Sequence, residues 1–380
     1  MLVKRVACWL RAEIRTLSRN RRITIGPPPT PASADAGADR DRLYWRESVE
    51  RHEQPSLRHS LLDVATSVVP YLALTVAMYA CLNISVWLTL ALAIPTAGFL
   101  LRTFIVFHDC AHGSFLPSKR GNLWLGRFTA LLVFQPFGNW RHNHAVHHGT
   151  AGDLDRRGTG DVPTLTVDEY LSRPWKQRLA YRLFRNPVVM FGIGPIWSLM
   201  IGPRIWSNKM RTRQRNSVIA TNLVLALVIG AIVWLVGLDA WLLVQMPIAI
   251  LAGTMGVFLF YVQHQFEDVY WESSDSWNYA DAALQGSSYL KLPKLLQYFS
   301  GNIGLHHVHH LSAKIPNYNL QRAHDENPIF HDVPILSIRD GLHSVRLKVI
   351  DPKSGRLLTW SEVRALARVP APAVPAPELG

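Results

Sequence analysis

The 380-residue sequence has only three cysteines, Cys8, Cys81 and Cys110, and they lie far apart along the chain. Cysteines this few and this scattered do not form a disulfide framework, and they require no oxidising compartment. Residues 1–22 also lack the apolar core of about 7 to 15 residues that a cleavable signal peptide needs. We therefore expect no cleaved leader in this segment.

The excess of positive charge does not indicate a nucleic-acid partner. Lysine and arginine together number 40, against 27 aspartates and glutamates, which by itself is compatible with nucleic-acid binding. The basic residues, however, flank long apolar runs and are absent from two short turns between those runs. This distribution is typical of a membrane protein, and we predict no nucleic-acid partner.

The two ends of the chain differ in composition from the region between them. Residues 1–22 are rich in arginine, and they form either an amphipathic helix on anionic lipid or a disordered basic arm. Residues 26–41 are rich in Pro, Ala, Gly and Asp, which is typical of a flexible linker. We predict an arm and linker over 1–48, one membrane domain over 49–345 and a C-terminal tail over 346–380.

Four apolar runs predict membrane-spanning helices. A bilayer core of about 30 Å requires about 20 apolar residues in helical form, and four runs reach that length: 61–82, 86–107, 218–238 and 241–262. Within each pair the connection is too short to cross the bilayer, so the runs form two hairpins. A further apolar piece at 188–201 contains two glycines and a proline, and we predict it to be interfacial or re-entrant.

The positions of the basic residues predict an orientation. Twelve lysines and arginines lie in residues 1–60, sixteen in 108–217 and eleven after 263, whereas neither hairpin turn has any. By the positive-inside rule the turns face outward, and both termini face the cytoplasm. The same side then carries every histidine cluster, an arrangement obtained without using the histidines.

Histidines are abundant, and most of them fall in three clusters. These are HDCAH at 108–112, HNHAVHH at 142–148 and HHVHH at 306–310, and His264 stands alone after the last apolar run. Spacings of three and four residues place imidazoles on one face of a helix. Eight imidazoles so placed, with His264 as a ninth, are too many for one tetrahedral zinc ion and suit two metal ions with open positions.

Other interpretations of the histidines fit less well. The zinc-protease motif H-E-x-x-H needs a glutamate after its first histidine, and Asp109 follows His108 here. A metal transporter or sensor is an alternative from a different functional class. A transporter places ionisable residues near the bilayer midplane, and these runs have none there, which favours an enzyme.

The three clusters resemble the histidine boxes H-x(3)-H, H-x(2)-H-H and H-x(2)-H-H of the membrane fatty acid desaturases. The resemblance extends from about Leu61 to His324. Four further segments are similar to the bacterial acyl-lipid desaturases, the bacillus-type Δ5 enzymes in particular: 155–170, 261–271, 286–304 and 309–320. Residues 1 to about 48 and the tail show no such resemblance.

The resemblance implies a di-iron centre that activates O₂ and removes two hydrogens from adjacent methylenes of a membrane-lipid acyl chain. Ferredoxin, flavodoxin or a similar carrier would be the external electron donor. The implied fold is an all-α integral membrane protein with four transmembrane helices in two hairpins and a cytoplasmic helical cap. The implied location is the bacterial inner membrane. The implied iron ligands are His108, His112, His144, His147, His148, His264, His306, His309 and His310.

The histidine boxes do not by themselves assign a role to several residues near them. Asn302 is a candidate for holding a water on one iron, and we predict that neither His142 nor His307 binds iron. Carboxylates that would orient ligand imidazoles are Asp109, Asp153, Asp155, Asp161, Glu267 and Asp268. Four tryptophans belong either to an interfacial belt or to a substrate tunnel: Trp124, Trp140, Trp175 and Trp197. The basic segment 204–215 either sets topology or contacts lipid headgroups or an acidic electron carrier.

The boxes do not set the position of the double bond. Desaturation at Δ9 or Δ12, or hydroxylation of a fatty acyl chain or hydrocarbon, therefore remain alternatives within the same chemistry.

Overall fold

The computed structural model describes residues 45–367. The predicted basic arm at 1–22 and linker at 26–41 lie outside the described residues. The described part is mostly helical and contains four helices that are long and apolar enough to cross a membrane. This confirms the predicted all-α architecture.

The first hairpin consists of α1 (Leu57–Cys81) and α2 (Val86–His112). Serines cap both helices: Ser56 accepts a hydrogen bond from an amide in the first turn of α1, and Ser85 does so in α2. Gly113, at φ 77°, ends α2 in the left-handed region that glycine tolerates. The helix α2 therefore continues beyond the predicted boundary at residue 107, and it carries the first histidine cluster on its last turns.

Between the hairpins, the chain forms four helices on the side where α2 ends: α3 (Lys119–Leu132), α4 (Phe137–Thr150), α5 (Val167–Ser172) and α6 (Trp175–Phe184). The apolar piece at 188–201 forms two π-helical turns, Val189–Ile193 and Ile196–Ile201, followed by a 3₁₀ turn, Gly202–Arg204. The hydroxyl of Thr254 donates a hydrogen bond to the Phe191 carbonyl at 2.7 Å, so the first π-helical turn packs on the second hairpin.

The second hairpin consists of α7 (Thr212–Val236) and α8 (Leu238–His264), joined at Gly237. Both hairpins are antiparallel. The ends of α2 and α8 that carry His108, His112 and His264 lie on the same side of the four spanning helices. The helices α2 and α8 pack together. By contrast, α7 is largely unpacked: only 11% of its most apolar stretch is buried, compared with 56% in α2.

The helices α3 to α6 form the first part of a cap on the spanning helices, and the rest of this cap follows α8. Its helices are α9 (Tyr279–Leu284), α10 (Lys294–Phe299), α11 (His306–Leu311), α12 (Leu320–Glu326), α13 (Ile338–Ser344) and α14 (Trp360–Leu366). Four short strands accompany them. The parallel pair is β1 (Tyr289–Leu290) with β2 (Ile335–Leu336), and the antiparallel pair is β3 (Leu347–Asp351) with β4 (Arg356–Thr359).

Residues 347–366 belong to the segment that the sequence analysis assigned to a tail, and they fold against the cap. Arg185, which is fully buried, donates to the Leu347 carbonyl at 3.0 Å. The hydroxyl of Tyr261, on α8, donates to the same carbonyl at 2.8 Å. The β3–β4 hairpin is thereby attached close to the end of α8 that carries His264.

Candidate metal centre

The nine histidines implied as iron ligands assemble into two clusters. Within each cluster, one candidate ligand atom of every residue lies within 4.8 Å of the others. We name them by their size. The five-histidine cluster contains His108, His112, His144, His148 and His309, and the four-histidine cluster contains His147, His264, His306 and His310. Neither His142 nor His307 belongs to these clusters.

Two cap helices supply residues to both clusters. On α4, His144 and His148 face the five-histidine cluster, while His147 faces the other. On α11, His309 joins the five-histidine cluster, whereas His306 and His310 join the four-histidine cluster. The clusters are therefore adjacent, and α4 and α11 connect them.

Ring nitrogens converge inside each cluster. In the five-histidine cluster, the Nε2 atom of His144 lies 3.0 Å from that of His108 and 3.1 Å from that of His148. The Nε2 atom of His309 lies 3.0 Å from that of His148. In the four-histidine cluster, the Nε2 atoms of His264 and His306 are 2.9 Å apart. Neutral imidazoles have one lone pair each, so this convergence brings several lone pairs towards a common point.

The opposite ring nitrogens of three histidines are held by hydrogen-bond acceptors. His264 Nδ1 donates to the Gly286 carbonyl at 3.0 Å, and because a carbonyl only accepts, the Nε2 atom of His264 carries the lone pair. The Nδ1 atoms of His108 and His147 contact Asp109 at 2.9 Å and Asp161 at 2.5 Å. This is the arrangement of metal-ligating histidines, whose second nitrogen is bound to a carboxylate or carbonyl.

The donor set fits iron. Several buried ring nitrogens have no hydrogen-bond partner within the described part of the chain, among them Nε2 of His112, His147 and His310. An unpaired buried polar atom is costly, and a divalent ion would satisfy these nitrogens together. Imidazole is a ligand that suits iron, copper, nickel or zinc, and nine of them exceed the needs of one ion.

Burial also disfavours the charged form of four of the cluster histidines on the cap helices. Desolvation, with the neighbouring histidines adding to it, lowers the pKa of His148, His306, His309 and His310 well below the ordinary value of 6.5. Neutral imidazole is the form that binds a metal.

A buried polar chain extends from the five-histidine cluster into the first hairpin. The Asn317 backbone amide donates to Asp109 at 2.7 Å, and its side-chain amide donates to Asp109 at 3.0 Å and to Asp63 at 2.9 Å. Asp63, on α1, in turn accepts from Arg102 on α2. The orientation of His108 is therefore coupled to both membrane helices through Asn317.

Trp140 forms one wall of the same cluster. Its ring stacks on His144 at a centroid distance of 4.3 Å and meets His108 edge to face at 5.7 Å. Trp124 and Trp175, by contrast, are 65% and 63% exposed, as a residue of an interfacial belt would be.

The remaining candidates from the sequence have other contacts. Of the six carboxylates, only Asp109 and Asp161 contact a cluster histidine within residues 45–367; Asp153 pairs with Arg156, and both Glu267 and Asp268 pair with Arg356. The Asn302 side chain donates to the Asn317 carbonyl at 3.0 Å.

Sequence patterns missed Asn317 and the Gly286 carbonyl as supports of the site, and they offered Trp140 only as a residue of an interfacial belt or a substrate tunnel. None of them belongs to a histidine cluster. Asn317 lies in the segment 309–320 and Gly286 in the segment 286–304, where the family resemblance was the available signal.

Comparisons with known proteins agree with the geometry. A sequence model of the family described as fatty acid desaturase matches residues 85–335. A fatty acid desaturase of Bacillus subtilis (strain 168) is 42% identical over 324 residues, which cover 85% of this chain and 91% of the relative. An sn-1 oleoyl-lipid 12-desaturase of Synechocystis is 26% identical over 313 residues, covering 78% and 86%. An sn-1 acyl-lipid omega-3 desaturase (ferredoxin) of Synechocystis is 27% identical over 233 residues, covering 58% and 62%.

Proposed function

The chain belongs to the fatty acid desaturase family of oxidoreductases, and on that premise we propose that it desaturates fatty acyl chains of membrane lipids at a di-iron centre. The observation that carries the proposal is the grouping of nine histidines into two adjacent clusters, which the ends of the spanning helices α2 and α8 form together with the cap helices α4 and α11. Bound iron would supply the O₂ activation needed to remove hydrogen from an unactivated methylene, which side-chain acids and bases cannot achieve.

The protein's own residues hold and shield this centre. The five-histidine cluster would hold one ion and the four-histidine cluster the other. Asp109 and Asp161 keep a proton on Nδ1 of His108 and His147, which leaves the Nε2 lone pairs for the metals. Trp140 covers His144 with an apolar surface, which limits the access of water to that side.

The proposed substrate is an acyl chain that remains attached to a membrane lipid. Two relatives are named for acyl-lipid or oleoyl-lipid desaturation, and the clusters lie where α2 and α8 emerge from the helical layer. We propose lateral entry of the chain from the bilayer and Δ5 regiochemistry. Desaturation at Δ9 or Δ12 and hydroxylation are the alternatives that product analysis will distinguish.

Electrons are proposed to come from ferredoxin, flavodoxin or a similar carrier. One relative carries ferredoxin in its name, and the basic residues near 204–215 offer charge complementarity to an acidic carrier. With the positive-inside rule, we propose a multi-pass protein of the bacterial inner membrane whose termini and active site face the cytoplasm.

Product analysis in a host that expresses the chain tests this function. Gas chromatography with mass spectrometry of double-bond adducts should reveal a new unsaturated acyl chain in the lipids and locate its double bond. His147→Ala and His309→Ala, one from each cluster, should abolish this product. His343→Ala, at an exposed position outside both clusters, is the matched control and should leave the product unchanged. Normal unsaturation in the His147→Ala and His309→Ala strains would disprove the proposal.

A further inference from the structure

A buried arginine outside both clusters lies between the two elements that support the four-histidine cluster. Arg185 directly follows α6, and its side chain is fully buried. Within residues 45–367 its guanidinium donates to five oxygens, none of which belongs to a carboxylate: those of Pro163, Thr164, Tyr261, Gln265 and Leu347. Burying a charged group is costly unless it is hydrogen-bonded, so these oxygens determine where the side chain lies.

The first element that Arg185 holds is the end of α8. His264 is the last residue of this helix, and the carbonyls of a last helical turn need partners from outside the helix. The Gln265 side chain supplies one, because its Nε2 atom donates to the His264 carbonyl at 3.1 Å. Arg185 donates to the Oε1 atom of the same amide at 2.8 Å, and to the hydroxyl of Tyr261 at 3.1 Å. A guanidinium only donates, so it fixes which end of the Gln265 amide points towards His264.

The second element is the loop that carries Asp161, the carboxylate that contacts His147 Nδ1. Arg185 Nη1 donates to the Thr164 hydroxyl oxygen in this loop at 3.4 Å. That oxygen also lies 3.3 Å from Oε1 of Gln265. The Asp161 loop and the end of α8 therefore meet at one guanidinium, although Arg185 itself contacts no cluster histidine through these bonds.

The β3–β4 hairpin anchors this arrangement. The Leu347 carbonyl accepts from Arg185 at 3.0 Å and from the Tyr261 hydroxyl at 2.8 Å. In return, the Nζ atom of Lys348 donates to the Arg185 backbone carbonyl at 2.8 Å. The match to the family model ends at residue 335, so membership of the family assigns no role to this hairpin.

We propose that Arg185 is a positioning residue for the four-histidine cluster. The inference rests on the proposed metal centre, since it assigns this arginine to one of the two metal positions. The planar fork of a guanidinium carries five N–H donors in a fixed geometry, which lets it join α8, the Asp161 loop and β3 at one point. It acts on His264 through Gln265, and on the loop of Asp161 through Thr164. None of its hydrogen-bond partners in the described residues belongs to the five-histidine cluster.

Cobalt binding to the full chain tests this role. The chain would be purified in detergent, stripped of metal and titrated with Co²⁺, whose visible absorption depends on its ligands. We expect two binding steps for the unaltered chain, one for each cluster. Arg185→Gln should weaken one step by about 10- to 100-fold, as is typical when a group behind a metal ligand is lost. The other step should be unchanged, whereas a general loss of structure would weaken both.

A second change identifies the step that Arg185 affects. His264→Ala removes a ligand of the four-histidine cluster, so the step that it weakens belongs to that cluster. Arg185→Gln should weaken the same step. Added to His264→Ala, it should leave the remaining step of the five-histidine cluster unchanged, because both changes act on one site.

Two further variants separate positioning from folding. Gln265→Met keeps Arg185 in place and removes the amide that links it to the His264 carbonyl, so it should weaken the same step. Arg204→Gln is the matched control, because Arg204 is a partly buried arginine that donates to the Phe134 carbonyl and not to a support of either cluster. Both binding steps should be unchanged in this control.

The outcomes distinguish this inference from the proposed function. Two unchanged steps in Arg185→Gln and Gln265→Met, or equal weakening of both steps, would overturn the positioning role and leave the metal centre standing. An unaltered chain that binds no Co²⁺ would contradict both. The titration needs no O₂, electron donor or acyl chain, so its result stands apart from the desaturase assay.

Discussion

The five-histidine and four-histidine clusters share α4 and α11 but are supported differently. Behind His108, a buried polar chain runs through Asp109 and Asn317 to the membrane helices. Behind the four-histidine cluster, the supports are Asp161, in a cap loop, and a single backbone carbonyl. The five-histidine cluster nevertheless has the more open face, because two of its members are only partly buried, whereas all four members of the other are buried. Deep support and open access thus coincide at the same candidate metal position.

Among the groups that support the two clusters, the largest effect should come from changing the carboxylate behind His108. In Asp109→Asn, the new amide cannot accept from both His108 and the two N–H groups of Asn317, so His108 loses its fixed orientation. We expect a loss of about 10- to 100-fold in product formation or metal affinity. The matched variant Asp161→Asn, at the four-histidine cluster, should lose less. An equal or larger loss in Asp161→Asn would remove the difference in support between the clusters.

The next effect concerns stability. Asn317→Ala removes one buried donor from each of the carboxylates of Asp109 and Asp63, which we expect to cost about 1 to 3 kcal/mol. The midpoint of thermal unfolding in detergent should fall accordingly. Asn319→Ala is the control in the same turn; its side chain donates to the His52 backbone carbonyl, away from both clusters. If the two variants unfolded at the same temperature, the polar chain would not be the special support that we describe.

The sequence predicts those features of the fold and the site that depend on local sequence, and it does not predict those that depend on tertiary packing. The four spans follow from length and hydropathy, and the pairing of His144 with His148 and of His306 with His310 follows from helical spacing. The assignment of His144 and His148 to one cluster and of His147 to the other does not follow from helical spacing. It depends on how α4 packs against α2 and α8.

Supports that come from distant parts of the chain were beyond prediction for the same reason. Asn317 lies 208 residues from Asp109, and nothing local to either residue indicates their contact. The β3–β4 hairpin at 347–359 could not be predicted from the sequence either, since its burial depends on hydrogen bonds from Arg185 and Tyr261.

The smallest effect should sharpen the difference in access. If the five-histidine cluster has the open face, a chelator should remove iron from the holoprotein in two phases. Trp140→Ala removes the ring that stacks on His144, so it should accelerate the fast phase by a few fold and leave the slow phase unchanged. Trp124→Ala, at an exposed tryptophan far from the histidines in its contacts, is the control. Equal acceleration of both phases would contradict the assignment.

The central claim is that nine histidines form two metal positions, and metal counting tests it most directly. Inductively coupled plasma mass spectrometry of the purified chain should give about two irons per chain, one for each histidine cluster. His309→Ala and His147→Ala should each reduce this to about one or fewer. A chain that carries no iron, or two irons in both variants, would contradict the account.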